Sequence, residues 1–415
     1  MFRRTVPLFA AALAVAAAMI STPANANYVA TEVGGEALAY AREAGIAPDE
    51  AARRLDRQVL APGLATAAEG TLGDAFGGVW IDGESVINVG VAGSMTATRT
   101  AAVTAAARAT GLTDGYRSVR VTYTMADLNR ANAVLAVRIA EVNADAPSGL
   151  TAGLRTDVNA VELQLPAGAA LTEAQDALVS DAVKAFGGLL VVGEYTGRAE
   201  ARACTYPYCD RPLRGGVRIT NSGVGCTAGF VARSKGGPFL YQFTAGHCVV
   251  GNTDDWSTRV VDQSELVIGP VQNSRFNSGG DMAILRVLAP PDAKPVGWLT
   301  VTGGPDTFAD ERYALLSDAT TVIGMRICTA GAFYGRSDCG TVTQKGVTAT
   351  YNGRTVTDLG RGTFCGTGGD SGAPMFASHA TYGLQVAGYS ECDSLYQGIT
   401  AAESAMNVNV EHTSL

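Results

Sequence analysis

The spacing of apolar residues changes near Thr220, and the two patterns predict two different kinds of structure. Ahead of that point helical and strand periods alternate. "APDEAARRLDRQVL" sets Pro48 at a helix start, Ala51, Leu55 and Val59 on one face, and Ala61-Pro62-Gly63 as a stop. "GVWIDGESVINVGV" holds two alternating runs around Asp82-Gly83, a hairpin signal. A helix over "MTATRTAAVTAAARAT", a strand "SVRVTYT" and a long helix through "MADLNRANAVLAVRIAEV" follow. The order then recurs, with a hairpin in "GLRTDVNAVELQLPAG", a helix in "LTEAQDALVSDAVKAF" and a strand in "GLLVVGEY". Two small α+β lobes fit this repetition, although hairpin, helix and strand in that order are common in α+β domains.

Beyond Thr220 short apolar runs separated by turn residues take over: "GCTAGFVAR", "FLYQFTAGH", "ELVIGPV", "MAILRVL", "TVIGMRICTA", "CGTVTQKG", "GLQVAGYS" and "LYQGITAA". Their spacing is that of an all-β barrel or sandwich. Near the end "AAESAMNVNV" alone keeps a helical pattern.

The chain begins with Arg3 and Arg4, an apolar run from Val6 to Ile20, Pro23, and the small residues Ala24-Asn25-Ala26. That layout is a secretory signal cut before Asn27. The run is too short to span a bilayer, and no later stretch reaches about 18 uninterrupted apolar residues. All eight cysteines lie between positions 204 and 392. An even number in an exported chain argues for disulfides, and spacing alone leaves their pairing open. Three histidines and no HExxH helix give a metal little to bind, so neither a metal nor another cofactor is expected. Residues 27–200 carry 13 basic and 21 acidic side chains, and residues 201–415 carry 16 and 18. Neither half has the basic stripe that nucleic-acid binding requires.

Three segments of the β-rich half carry candidate chemistry. "FTAGHCVVG" places His247 beside Cys248, "NSGGDMAIL" places Asp281 before an apolar strand, and "CGTGGDSGAPMF" surrounds Ser371 with glycines. A serine hydroxyl needs a base to take its proton, and an imidazole suits that near neutral pH. A buried carboxylate holds the imidazole tautomer and stabilises the imidazolium. Glycines before the serine allow the tight backbone that aims two N–H groups at one developing oxyanion. Each residue has a plainer reading: His247 as a satisfied core histidine, Ser371 as a turn residue, and Asp254 or Asp255 as the carboxylate nearer His247 in sequence. Cys248 and Cys365 read as bridge partners rather than nucleophiles.

With "TAGHC", then "GD" entering an apolar strand, then "GDSG", the chain resembles the bacterial chymotrypsin-like serine proteases of the streptogrisin and alpha-lytic protease type. The resemblance covers the stretch from "LRGGVRITNS" to "ITAAESAMNVNV", and the front half is more loosely similar to that family's propeptide in "GIAPDEAARRL" and "FGGVWID…VINVGV". It implies a Greek-key double β-barrel with His247 as general base and acid, Asp281 as orienting carboxylate and Ser371 as nucleophile. The backbone N–H groups of Gly369 and Ser371 would form the oxyanion hole, with Gly366, Ser390 and Glu391 binding substrate. It also implies the bridges Cys226–Cys248, Cys328–Cys339 and Cys365–Cys392. "CTYPYC" adds a pair, Cys204–Cys209, expected to close a small loop.

The chain departs from that pattern at Ala373, where a second glycine is usual, and at Glu391-Cys392, where two glycines commonly follow the serine. Glu391 and Asp393 leave two readings open: a preference for a basic side chain before the scissile bond, or a Glu391 that points to solvent. The resulting expectation is a secreted, monomeric zymogen: signal peptide 1–26, α+β propeptide 27–202 acting as folding aid and intramolecular inhibitor, and an all-β protease domain 203–415. Its partners are protein or peptide substrates and its own propeptide, with no nucleic acid and no membrane after signal removal. Cleavage is expected between Tyr195 and Ala203, in "YTGRAEARA", which lacks apolar periodicity. The rivals are a catalytically silent secreted binding module on the same fold, and an α/β-hydrolase esterase. The second needs GxSxG with histidine last, and this chain has histidine first and Ala373 breaking the motif.

Overall fold

The computed structural model describes residues 35–413 apart from 145, 147, 197–199, 202–212, 260–264, 289–295 and 303–309. The expected signal peptide and the Cys204–Cys209 pair lie outside the described residues, as does part of the expected cleavage segment.

The front half opens with three helices, α1 (Gly35–Ala44), α2 (Pro48–Val59) and α3 (Ala61–Leu72). Ala51 and Leu55 bury the face of α2 that the sequence predicted, joined by Gln58, whereas Val59 is only half-buried. The Ala61-Pro62-Gly63 stop does end α2, but α3 starts there at once. Proline is tolerated in a first turn, where its missing N–H has no partner in any case, and Leu64, Ala68 and Leu72 give α3 a buried stripe.

Strands β1 (Phe76–Ile81) and β2 (Ile87–Ala92) form the hairpin expected at Asp82-Gly83, followed by α4 (Ala97–Ala109) and β3 (Tyr116–Val121). β1 and β2 are buried along their whole length rather than alternating. After α5 (Met125–Asn143) the order repeats in β4 (Thr151–Arg155), β5 (Ala160–Pro166), α6 (Glu173–Phe186) and β6 (Leu190–Tyr195). Each lobe joins an antiparallel hairpin to a strand that returns parallel after a helix, so the repetition in sequence is one of topology. Capping boxes at Thr124/Asp127 and Thr172/Gln175 fix the starts of α5 and α6. A short β7 (Glu200–Ala201) closes the half.

The rear half is β-rich, as its spacing predicted. Its first part holds β8 (Arg218–Asn221), β9 (Val224–Thr227), β10 (Val231–Ser234), β11 (Leu240–Thr244), β12 (Trp256–Arg259), β13 (Glu265–Gly269), β14 (Val271–Asn277) and β15 (Gly280–Arg286). They lie in two sheets, β13-β12-β8-β9 and β14-β15-β11-β10, the latter extended by the last strand of the chain, Val408–Val410. After β16 (Trp298–Val301), β17 (Asp310–Ala314) and β18 (Ser317–Asp318) comes the second part. Here β19 (Arg326–Thr329), β20 (Asp338–Tyr351), β21 (Arg354–Gly362), β22 (Pro374–Ala377), β23 (Ala380–Ser390) and β24 (Asp393–Gly398) run in the order β19-β22-β23-β24-β21-β20. Helix α7 (Ile399–Met406) takes the first part of the predicted C-terminal helix, whose remainder forms the last strand, Val408–Val410.

The halves share a sheet and a core. β4 pairs antiparallel with β20 (Thr348 opposite Ala152, Lys345 opposite Leu154), so the second front lobe extends the rear sheet. The first lobe packs through Phe76, Val79 and Ile81 in one apolar cluster with Met325, Ile327, Phe364, Tyr382 and Tyr396. At its edge the Gln58 amide pairs with the Arg326 backbone in both directions, at 2.8 and 2.9 Å. The Cys226–Cys248, Cys328–Cys339 and Cys365–Cys392 bridges are present. Among the described residues no helix is long and apolar enough to cross a membrane.

Candidate active site

His247 sits in a single helical turn (Gly246–Val249) directly after β11, and its neighbour Cys248 is tied to β9 through Cys226. Gly246 is required there, because a Cβ would lie 1.8 Å from the Arg275 carbonyl oxygen. Asp281 is the second residue of β15, a strand whose six leading residues are buried. Ser371 lies in the loop before β22, three residues ahead of Pro374. The structure brings the three together: His247 Nδ1 lies 2.7 Å from Asp281 Oδ2, and His247 Nε2 lies 2.8 Å from Ser371 Oγ. The other Asp281 oxygen accepts the His247 backbone N–H at 2.9 Å. Asp254 and Asp255 are exposed in a polar turn, and Asp281 is the carboxylate that partners the imidazole.

The loop that carries Ser371 is held by a residue to which the sequence alone assigns no role. Asp370 is fully buried and accepts three backbone N–H groups, from Phe333 at 2.9 Å, Tyr334 at 3.2 Å and Thr367 at 2.8 Å. It thereby ties the glycine loop to the segment enclosed by the Cys328–Cys339 bridge. Thr227 fixes the other side, its hydroxyl donating to the Gly369 carbonyl at 2.9 Å and its N–H to the Ser371 carbonyl at 2.9 Å. Gly369 has φ +98°, a conformation that disfavours any side chain. The place of Asp370 within "GDSG" is the one signal in the sequence that could have found it.

Ala373, the first departure from the family pattern, is fully buried, with its N–H on the Asp370 carbonyl at 2.8 Å and its carbonyl taking the Gln385 N–H at 2.9 Å. Its methyl is absorbed into the core. The expected substrate-binding residues divide. Gly366 lies beside the Cys365–Cys392 bridge and donates its N–H to the Glu391 carbonyl at 2.8 Å. Ser390, however, is exposed at the far end of β23, and the residue whose carbonyl stands 3.3 Å from Ser371 Oγ is Val386. The stretch of β23 beside Ser371 is therefore Val386-Ala387-Gly388, and β7 runs antiparallel to it, with Ala201 opposite Ala387 and Glu200 opposite Gly388. Both nearby carboxylates already have partners. Glu391 takes the Tyr334 hydroxyl at 2.5 Å, and Asp393 is paired with Arg361 at 2.5 and 2.6 Å.

No protein-family model matches the chain. It is 31% identical over 201 residues to glutamyl endopeptidase 2 of Streptomyces griseus, covering 47% of this chain and 98% of that protein. It is 28% identical over 355 residues to serine protease 1 of Streptomyces fradiae, covering 84% of this chain and 86% of that protein. That second span is too long to fall within the rear half alone. Among solved structures, a glutamic-acid-specific serine protease that uses a histidine triad in substrate binding is 30% identical, with a TM-score of 0.41, covering 48% of this chain and 100% of that one. The chain belongs to the streptogrisin-type family of chymotrypsin-like bacterial serine endopeptidases.

Proposed function

We propose that the protein is a secreted, monomeric serine endopeptidase made as a zymogen and working through a Ser371–His247–Asp281 triad. The observation that carries the reading is the unbroken series Ser371 Oγ, His247 Nε2, His247 Nδ1, Asp281 Oδ2, with contacts of 2.8 and 2.7 Å. His247 takes the hydroxyl proton as Ser371 Oγ attacks the scissile carbonyl carbon. The carbonyl oxygen becomes an oxyanion facing the N–H groups of Gly369 and Ser371, donors fixed beforehand by Asp370 and Thr227. The C–N bond breaks as the imidazolium protonates the leaving amine, giving an acyl-enzyme. Water, deprotonated by the same imidazole, then releases the acid and restores Ser371.

The domain limits we propose are a signal peptide 1–26, a propeptide 27–202 and a protease domain 203–415. Two contacts support a propeptide that both templates and masks the enzyme. β4 completes the β20 edge, and a fold rich in non-local strand pairings gains from such a template. β7 lies along Ala387-Gly388, so the end of the front half covers the strand that flanks Ser371. The glutamyl preference of the Streptomyces griseus relative is not carried over. His379 stacks on Tyr313 and His412 faces Asp318, which leaves His247 as the histidine at Ser371.

Ser371→Ala tests the proposal. The variant is expected to be secreted as the uncut chain and to hydrolyse no peptide, whereas the wild type yields a chain beginning near residue 200. Equal processing and equal peptidase activity in the variant would refute it.

A further inference from the structure

The Asp281 carboxylate accepts three hydrogen bonds, and the imidazole turn supplies only two of them. Oδ1 takes the His247 backbone N–H, while Oδ2 takes both the imidazole Nδ1–H and, at 2.7 Å, the hydroxyl of Tyr351. Tyr351 is the last residue of β20 and is 2% exposed. Its ring stands edge-on to the His247 ring, with centroids 6.1 Å apart at 86°, and 5.5 Å from Phe276, which itself lies 5.7 Å from His247. Burial, and then the Asp281 charge, push the phenol well above its usual range, so it stays protonated and donates.

We infer that Tyr351 is a positioning residue for the triad: its hydroxyl fixes Asp281 Oδ2 against the imidazole and takes up part of the charge that Oδ2 presents to His247. The inference rests on the triad reading above. Two further features support it. The Asp281 backbone N–H is held by Gln397 Oε1 at 3.0 Å, so the strand end is pinned and the phenol acts on the carboxylate itself. The hairpin that delivers Tyr351 is pinned as well, by Arg354, which follows it and donates to the Phe276 carbonyl at 3.2 Å.

Tyr351→Phe keeps the ring and removes the donor. With one donor fewer, Oδ2 presents more negative charge to its ring partner and favours the protonated form of the pair. The acid limb of the kcat/KM profile should therefore move up by about 0.5–1 pH unit. A less constrained carboxylate should lower kcat by about 5–50-fold with KM changed less than about twofold. Rates are normalised to sites titrated by a fluorophosphonate, so a smaller folded fraction cannot mimic the result. Replacing Tyr351 by 3-fluorotyrosine, a more acidic and stronger donor, should move the limb down by a few tenths of a unit, which keeps the test open should the Phe variant fold poorly. A limb and kcat unchanged in both variants would overturn the inference. A wild-type enzyme that titrates with no fluorophosphonate would overturn instead the triad reading beneath it.

Discussion

Replacing Asp370 by Asn removes one charge and one acceptor from the loop that aims the proposed oxyanion donors. The carboxylate satisfies three backbone N–H groups within 2.8–3.2 Å, and it does so fully buried. An amide can turn its oxygen to Phe333 and Tyr334 or to Thr367, and its NH2 then faces an N–H on the other side. At least two buried donors, the N–H and the NH2 that faces it, are left unpaired at about 1–3 kcal/mol each, and weakening the remaining charge-assisted bonds adds about 1–2 kcal/mol. A total of about 3–8 kcal/mol corresponds to a Tm lowered by roughly 6–30 °C for a domain of this size. Thr367 lies two residues before Gly369, so relief of the donor clash displaces the Gly369 N–H. Loss of one such donor costs about 10²–10³ in kcat. The assay is kcat/KM on a chromogenic peptide together with Tm of the processed enzyme. A variant within about threefold of wild type in kcat/KM, with an unchanged Tm, would refute the reasoning.

Glu36 of α1 meets the Ser378 N–H at 3.0 Å and the Tyr313 hydroxyl at 3.3 Å, and burial pushes its carboxyl from 4.5 up to about 7. Because the docked pKa is the higher one, docking of α1 is favoured in acid and loses about 3 kcal/mol as pH rises from about 4.5 through 7. Amide exchange over residues 35–44 should quicken across that window, and Glu36→Gln should remove most of the pH dependence. Gln58→Ala strips two bonds from buried Arg326 backbone groups, so the uncut chain should unfold at lower denaturant, by about 2–4 kcal/mol. Gly246→Ala forces a Cβ onto the Arg275 carbonyl and displaces His247, so a folded variant should show peptide hydrolysis reduced at least about 100-fold.

The residues that do the proposed chemistry are legible in the sequence because each sits in a short local pattern. His247 needs a glycine before it, Ser371 follows a glycine loop, and Asp281 opens an apolar strand whose burial sets it apart from the solvated Asp254 and Asp255. The front-half repeat is legible for a similar reason, since both periods are strong and both later helices carry caps. What escapes the sequence depends on distance and on position along a strand. Tyr351 lies 70 residues from Asp281, and Gln397 lies 116 away, so no local pattern links them. Ser390 in "AGYSE" looks like a substrate-binding residue from the family resemblance alone. Ser390, however, is the exposed last residue of β23, and Val386, four residues earlier in the same strand, is the one whose carbonyl faces Ser371. Helix α3 reads only as a stop because Pro62, Gly63 and Gly70 mask the helix preference of its alanines, and its stability comes from packing of Leu64, Ala68 and Leu72.

The most direct test of the central claim is fluorophosphonate labelling of the secreted protein, with the adduct and the new N-terminus mapped by mass spectrometry. The account predicts phosphonylated Ser371 in a chain beginning near residue 200, and no label in the uncut precursor, where β7 covers the strand beside the nucleophile. A folded, processed chain that takes no label, or takes it at another serine, would contradict it.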